Sequence, residues 1–83
     1  ISQYEKNASE GDLNSQVFLG YIYDTGKQGV EVDLKKSQKY FKMAVKQNSG
    51  YALTYMGYFY EKGRGVKEDQ IEAFKYYFKA HSL

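Results

Sequence analysis

The chain has 83 residues, 9.6 kDa, and is 42% apolar, 27% charged and 18% aromatic, which is room for one small folded domain and argues against disorder. With no Cys and one His, it excludes a disulfide scaffold, a thiolate zinc or iron–sulfur site, a cysteine nucleophile and a multi-histidine metal centre. A net charge of +2 implies neither nucleic acid nor an anionic membrane as partner, and no apolar run is long enough to span a bilayer.

The chain opens on Ile1 rather than Met and so reads as an excised or processed piece. Residues 2–10 read as the end of an earlier unit, because Tyr4 and Ala8 lie 36 positions before Tyr40 and Ala44. The next helix is predicted from about Leu13 to Asp24. Asp12 is its N-cap, its carboxylate accepting orphan backbone N–H groups. Leu13, Val17 and Tyr21, with Leu19, Ile22 and Tyr23, recur at spacings of three and four. Gly26 then stops the helix, because it can take a positive φ.

A second helix opens after Asp33, again an N-cap, with Leu34, Ser37, Phe41, Ala44 and Val45 on one face. Its lysines, Lys35, Lys36, Lys39, Lys42 and Lys46, make a solvated outer face, with binding of an acidic partner as the alternative. Two further helices are expected from about Gly50 to Lys62 and from Gln70 to Ser82. Asp69 and Glu72 have the form of a capping box at the last one.

These helices repeat. Gly20, Tyr21, Tyr23 and Gly26 return as Gly57, Tyr58, Tyr60 and Gly63 at an offset of 37. Gly29-Val30, Asp33, Lys39-Tyr40 and Ala44 return as Gly65-Val66, Asp69, Lys75-Tyr76 and Ala80 at an offset of 36. The slip of one residue falls in the loop, where insertions are tolerated. Gly20 and Gly57 sit inside helices, where each costs about 1 kcal/mol relative to Ala. Close approach of the partner helix explains them, with Ala44 and Ala80 as the facing residues.

The pattern Leu19-Gly20-x-x-Tyr23-x-x-Gly26, then Gly29-Val30-x-x-Asp33, then Lys39-Tyr40-Phe41-x-x-Ala44, resembles the Sel-1-like repeat. So does the second copy, from Met56-Gly57-x-x-Tyr60-x-x-Gly63 to Ala73, Tyr76-Tyr77 and Ala80. Residues 4–11 look like the tail of a preceding copy. Departures are Met56 for Leu, Ser37 where a small Ala is usual, and the extra residue in the first loop. The resemblance implies an all-α fold: an α-solenoid of helix-turn-helix repeats in an α/α superhelix, related to tetratricopeptide repeats. Residues 1–11 would be the end of a preceding repeat, 12–48 the first full repeat and 49–83 the second.

The resemblance also implies a non-catalytic scaffold or adaptor that binds proteins on a concave surface lined by the first helices. Related proteins include an adaptor of endoplasmic-reticulum-associated degradation, activators of fungal chitin synthase, and bacterial proteins that engage host or signalling partners. On that surface, one stripe counted from Gly20 holds Asn14, Val17, Tyr21 and Asp24. Its counterpart in the second copy holds Tyr51, Thr54, Tyr58 and Glu61. These eight are the candidate partner-binding residues, and the tyrosines suit contact because they offer rigid apolar area and a hydroxyl. The alternatives are that the stripe is merely solvated or packs on an adjoining repeat. No catalytic residue, metal or cofactor is expected, and the expected partner is a protein or peptide.

Two rival functions remain. Uncapped repeat ends would expose apolar faces and make the chain a self-assembly module. A cysteine-rich branch of the family is linked to β-lactam chemistry, but this chain lacks Cys and any Ser–Lys nucleophile motif, so a repeat-built hydrolase fits poorly.

Other features read as ordinary structure. Tyr55, Tyr58, Phe59 and Tyr60 with Phe74, Tyr76, Tyr77 and Phe78 are read as core and inter-repeat packing rather than a base-stacking platform. Gly63-Arg64-Gly65 is a turn rather than a phosphate cradle. His81 is exposed near a frayed end. Asn7-Ala8-Ser9 matches the N-glycosylation acceptor pattern inside an expected helix.

Overall fold

The computed structural model describes all 83 residues. It consists of five helices: α1 (Ser2–Ser9), α2 (Leu13–Thr25), α3 (Leu34–Val45), α4 (Gly50–Lys62) and α5 (Gln70–Ser82). One turn of 3-10 helix, Lys27–Gly29, follows α2. There is no strand. Each helix packs on its neighbours in sequence, α1 on α2, α2 on α3, α3 on α4 and α4 on α5. The short connections make this the natural solution, since they return each helix against the last. The stack measures 35 × 25 × 14 Å. It is the all-α, helix-turn-helix solenoid that the repeats imply.

The helix starts are fixed by side-chain caps. Asp12 accepts from the Ser15 N–H at 3.1 Å, Asp33 from the Lys36 N–H at 3.1 Å, and Asp69 from the Ile71 and Glu72 N–H groups at 3.0 Å each. Ser49 caps α4, its hydroxyl accepting from the Ala52 N–H at 3.1 Å. At Asp69 only half of a capping box forms. The Asp69 N–H donates to the Tyr60 carbonyl at 2.9 Å, so it is not available to Glu72. Glu72 instead lies 3.5 Å from Lys75.

Gly26 (φ 77°) and Gly63 (φ 66°) end α2 and α4 in the left-handed conformation. The extra residue of the first loop is absorbed by Gln28, which also turns left-handed at φ 63°. Both loops then return to the same register. Asp33 N–H donates to Tyr23 O and Asp69 N–H to Tyr60 O, each at 2.9 Å. The insertion thus alters the turn and leaves the helix pair unchanged.

Two apolar clusters form the core. Ala8, Leu19, Ile22, Tyr23 and Tyr40 make one, and Phe41, Ala44, Ala52, Met56 and Phe59 make the other. Half-buried Tyr21 packs against both. Tyr23 stacks on Tyr40 with centroids 6.1 Å apart, and the equivalent pair Tyr60 and Tyr76 stacks at 5.7 Å.

The helix-internal glycines mark close approaches, but the facing residues are aromatic. A Cβ on Gly20 would stand 2.8 Å from three ring carbons of Phe41, and one on Gly57 would stand 2.7 Å from the Tyr77 ring. Ala44 is not among the atoms nearest either glycine and lies in the cluster that Phe41, Ala52, Met56 and Phe59 share with it. Ser37, next to the first notch, donates its hydroxyl to the Gly20 carbonyl at 2.6 Å.

Replacing either glycine with Ala sets a helix-propensity gain of about 1 kcal/mol against an overpacking cost of about 1–3 kcal/mol. Phe41 is fully buried and stacked 4.5 Å from Tyr55, so it cannot yield. Tyr77 is half-buried and can turn outward. Thermal melts should therefore show Gly20→Ala lowering Tm by several degrees and Gly57→Ala by clearly less. An equal effect at the two sites would contradict this account.

Candidate protein-interaction surface

Helices α2 and α4 bring seven of the eight candidate side chains to the walls of two shallow depressions. Asn14, Val17 and Tyr21 of α2 meet Tyr51 of α4 in a depression of about 440 Å³, whose walls also include Leu13, Phe18 and Ser49. Asp24 of α2 meets Thr54 and Tyr58 of α4 in one of about 330 Å³, with Tyr55 between them. Those are seven residues in all, and the eighth, Glu61, lies half-buried one turn beyond Tyr58. Helical spacing accounts for this, because each stripe stays on one face, set beside the face that the ring-in-notch contact holds against the partner helix.

Exposure differs along the stripes. Tyr51 is 51% and Tyr58 40% accessible, and Asn14 and Thr54 are exposed. Val17 and Tyr21 are half-buried. Thr54 turns its hydroxyl inward onto the Gly50 carbonyl at 2.9 Å, so its methyl is what it offers outward. Tyr51 and Tyr55 lie 5.1 Å apart, and Tyr55 stacks on Phe41. Burial, then the neighbouring Tyr51 hydroxyl, push the Tyr55 phenol well above its usual range. The aromatic row on α4 is thus anchored in the core at Tyr55 and open at Tyr51 and Tyr58.

The two carboxylates are already engaged. Asp24 is 7% accessible, and Arg64 reaches it from the loop after α4. Arg64 Nε donates to Asp24 Oδ1 at 2.7 Å and Arg64 Nη2 to the Asp24 carbonyl at 2.8 Å. That contact raises the Arg64 guanidinium above its ordinary value. Glu61 accepts from the Tyr77 hydroxyl at 2.7 Å. Burial first, and this hydrogen bond and charge second, push the Tyr77 phenol up to about 12. Both acids therefore help tie the stack together, and Asn14, Tyr51, Thr54 and Tyr58 form the accessible part of the stripe.

Arg64 is the participant that sequence reading does not pick out. Its Gly-x-Gly setting signals a turn, and the turn is present, with Gly63 and Gly65 both left-handed. Nothing local indicates that the side chain reaches back 40 positions. A second long-range link joins Gln47 to Gln16 at 2.9 Å and to the Gly11 carbonyl at 3.0 Å, while Gln16 donates to the Ala8 carbonyl at 2.9 Å. In the second copy the place of Gln16 is taken by fully buried Leu53.

Arg64→Ala would strand a buried carboxylate, at a cost of about 1–3 kcal/mol. Asp24→Asn/Arg64→Ala removes the charge as well. Denaturant unfolding should show the double variant more stable than the sum of the two single losses predicts. Additive losses would mean that the two side chains do not interact.

The model of the Sel1 repeat matches residues 13–49 and again 50–81. The chain is 30% identical over 83 residues to DAP3-binding cell death enhancer 1 of Rattus norvegicus, covering 100% of this chain and 16% of that protein. It is also 30% identical over 80 residues to the sel1-like repeat-containing protein R815 of Acanthamoeba polyphaga mimivirus, covering 96% of this chain and 15% of that one. The chain thus spans about a sixth of the length of these relatives. Among solved structures, the Sel1 repeat protein from Oxalobacter formigenes superposes with a TM-score of 0.85 at 28% identity, over 98% of this chain and 60% of that one. The antigen c5321 of uropathogenic Escherichia coli, described as having an SLR fold, gives 0.89 at 37% identity, over 95% of this chain and 17% of its own. The repeated glycine notches, the paired helices and these matches have one explanation: the chain belongs to the Sel1 repeat family.

Proposed function

We propose that the chain is a non-catalytic scaffold segment that holds a protein or peptide partner on its α2–α4 face. The carrying observation is the row of accessible aromatic and polar side chains there, with Tyr51 and Tyr58 open above an anchored Tyr55. Such a row gives large contact area at small entropic cost, as anchor residues of interfaces do. The depressions are broad and shallow, which suits a peptide or a protein surface better than an enclosed small molecule. The family's general role in protein–protein interaction supports the reading, as does the name of the rat relative, a DAP3-binding protein. Residues 1–11 act in this reading as the end of a preceding repeat, with Ala8 of α1 seated on α2 as Ala44 of α3 is seated beside α4. Adaptor work in endoplasmic-reticulum-associated degradation is one setting in which such a segment would serve.

A second reading has its own observation. Ile71, Phe74 and Phe78 on α5 are 71%, 65% and 60% accessible, and the two phenylalanine rings stack at 5.9 Å. This stripe supports self-association of the chain.

Tyr51→Ala/Tyr58→Ala alters two accessible side chains and should leave the helical circular-dichroism signal unchanged. Affinity for a protein captured by the unaltered chain from its source cells should fall about tenfold or more. Undiminished capture by the folded variant would refute the α2–α4 reading. For the second reading, sedimentation across a concentration series should show association that Phe74→Ser/Phe78→Ser abolishes. A monomer at all concentrations would refute it.

A further inference from the structure

The outer side of α3 carries an arrangement that neither the core nor the tyrosine stripes require. Five of the twelve basic residues fall within the thirteen positions Leu34–Lys46, and no carboxylate does. The rest of the chain holds ten acids against seven bases, so charge is segregated although the total is only +2. Lys35, Lys39, Lys42 and Lys46 follow the spacing four, three, four, which keeps all four on one helical face. With Gln38 and Met43 they line a shallow groove. All four are exposed. The two ion pairs of the chain, Arg64–Asp24 and Lys75–Glu72, use none of them. Lys36, off the stripe, lies 5.1 Å over the Tyr23 ring, and Lys39 of the stripe lies 5.3 Å over the Tyr40 ring.

Ordinary causes leave this unexplained. Solvation needs polar side chains, not four of one sign. Like charges three or four apart on a helix cost a few tenths of a kcal/mol per pair. The helix dipole favours cations at the C-terminal end, which accounts for Lys42 and Lys46 but opposes Lys35 in the first turn. The repeat does not demand them either. The equivalent positions on α5 are Ile71, Lys75, Phe78 and Ser82, and only one of these is basic.

We infer that the Lys35–Lys39–Lys42–Lys46 groove on α3 is a docking surface for an acidic peptide segment, separate from the tyrosine stripe on α2 and α4. The four ammonium groups are carried on about 16 Å of helix. A helix with Glu at the same four-three-four spacing presents its carboxylates with the same rise and meets each lysine once. The floor favours a peptide over nucleic acid. Met43 and Gln38 supply a thioether and an amide, and the nearest ring, Tyr40, is buried and stacked on Tyr23. No aromatic face is therefore open beside the lysines for a base to stack on.

The test measures fluorescence anisotropy of a labelled twelve-residue helical peptide with Glu at that spacing in an Ala background, titrated with the 83-residue chain. Binding should be seen at about 0.1 M salt and disappear toward about 1 M, as the Debye length falls from about 10 Å to about 3 Å. K35Q/K39Q/K42Q/K46Q should weaken it about tenfold or more, as the loss of four exposed ion pairs implies. The control K62Q/K67Q/K75Q/K79Q makes the same change in net charge and should weaken it less than about threefold. Tyr58→Ala should leave it unchanged, which separates this result from the fate of the α2–α4 reading. Equal losses in the two lysine variants would overturn the proposal. So would failure of the unaltered chain to bind, or tighter binding of a thymidine oligonucleotide than of the peptide.

Discussion

The structure depends on an aromatic ring seated in a backbone notch. Phe41 lies over Gly20, and Tyr77 over Gly57, at distances that leave no room for a Cβ. This contact sets how near the two helices of each pair can come. It also fixes which faces of α2 and α4 are left over for other uses. Phe41 has a second task, because its other side stacks on Tyr55 and approaches Phe59 of the next pair. One buried side chain therefore closes its own repeat and seats the following one. That coupling explains why the position is apolar in the first copy. Tyr77, half-buried, can carry a hydroxyl at the same place and direct it to Glu61.

Much of this was legible in the sequence, because the signals are local and occur twice. Helix extents follow from periodicity between a capping Asp and a stopping Gly, as at Asp12 and Gly26. The change of repeat offset from 37 to 36 locates the loop insertion. What was not legible depends on pairing across repeats. An alanine and a phenylalanine three positions apart, Phe41 and Ala44, both lie on inward faces, and spacing alone does not say which one meets the glycine. The capping-box pattern at Asp69 predicts a reciprocal bond, but a tertiary acceptor, the Tyr60 carbonyl, competes for the same N–H and takes it.

The stripe positions were legible in the same limited sense. Helical geometry placed Asn14, Val17, Tyr21, Tyr51, Thr54 and Tyr58 along adjoining depressions. It could not indicate that Asp24 is buried beneath Arg64, since that depends on a loop 40 residues away. Nor could it separate side chains that serve the core, such as Tyr21, from those that stand free, such as Tyr58. Both are tyrosines at equivalent positions. Tyr21 packs against both core clusters, whereas Tyr58 belongs to neither and is 40% accessible.

Asp24 and Glu61 show how equivalent positions come to differ in a stack of repeats. Each is the last residue but one of the first helix of its pair. Asp24 meets an arginine supplied by the loop of the following repeat, through both its side chain and its carbonyl. A buried carboxylate without such a partner would be costly, so its placement at 7% accessibility requires that loop to sit in one register. The ion pair adds little net stability over an apolar pair of similar volume. Its effect is on alignment: a shifted or rotated second repeat would leave Asp24 desolvated and unpaired. Apolar packing between Phe41, Tyr55 and Phe59 supplies adhesion that tolerates sliding, and Asp24–Arg64 supplies the directional contact that does not. The relative placement of Tyr21 and Tyr58, and hence the shape of the face they share, follows from that division.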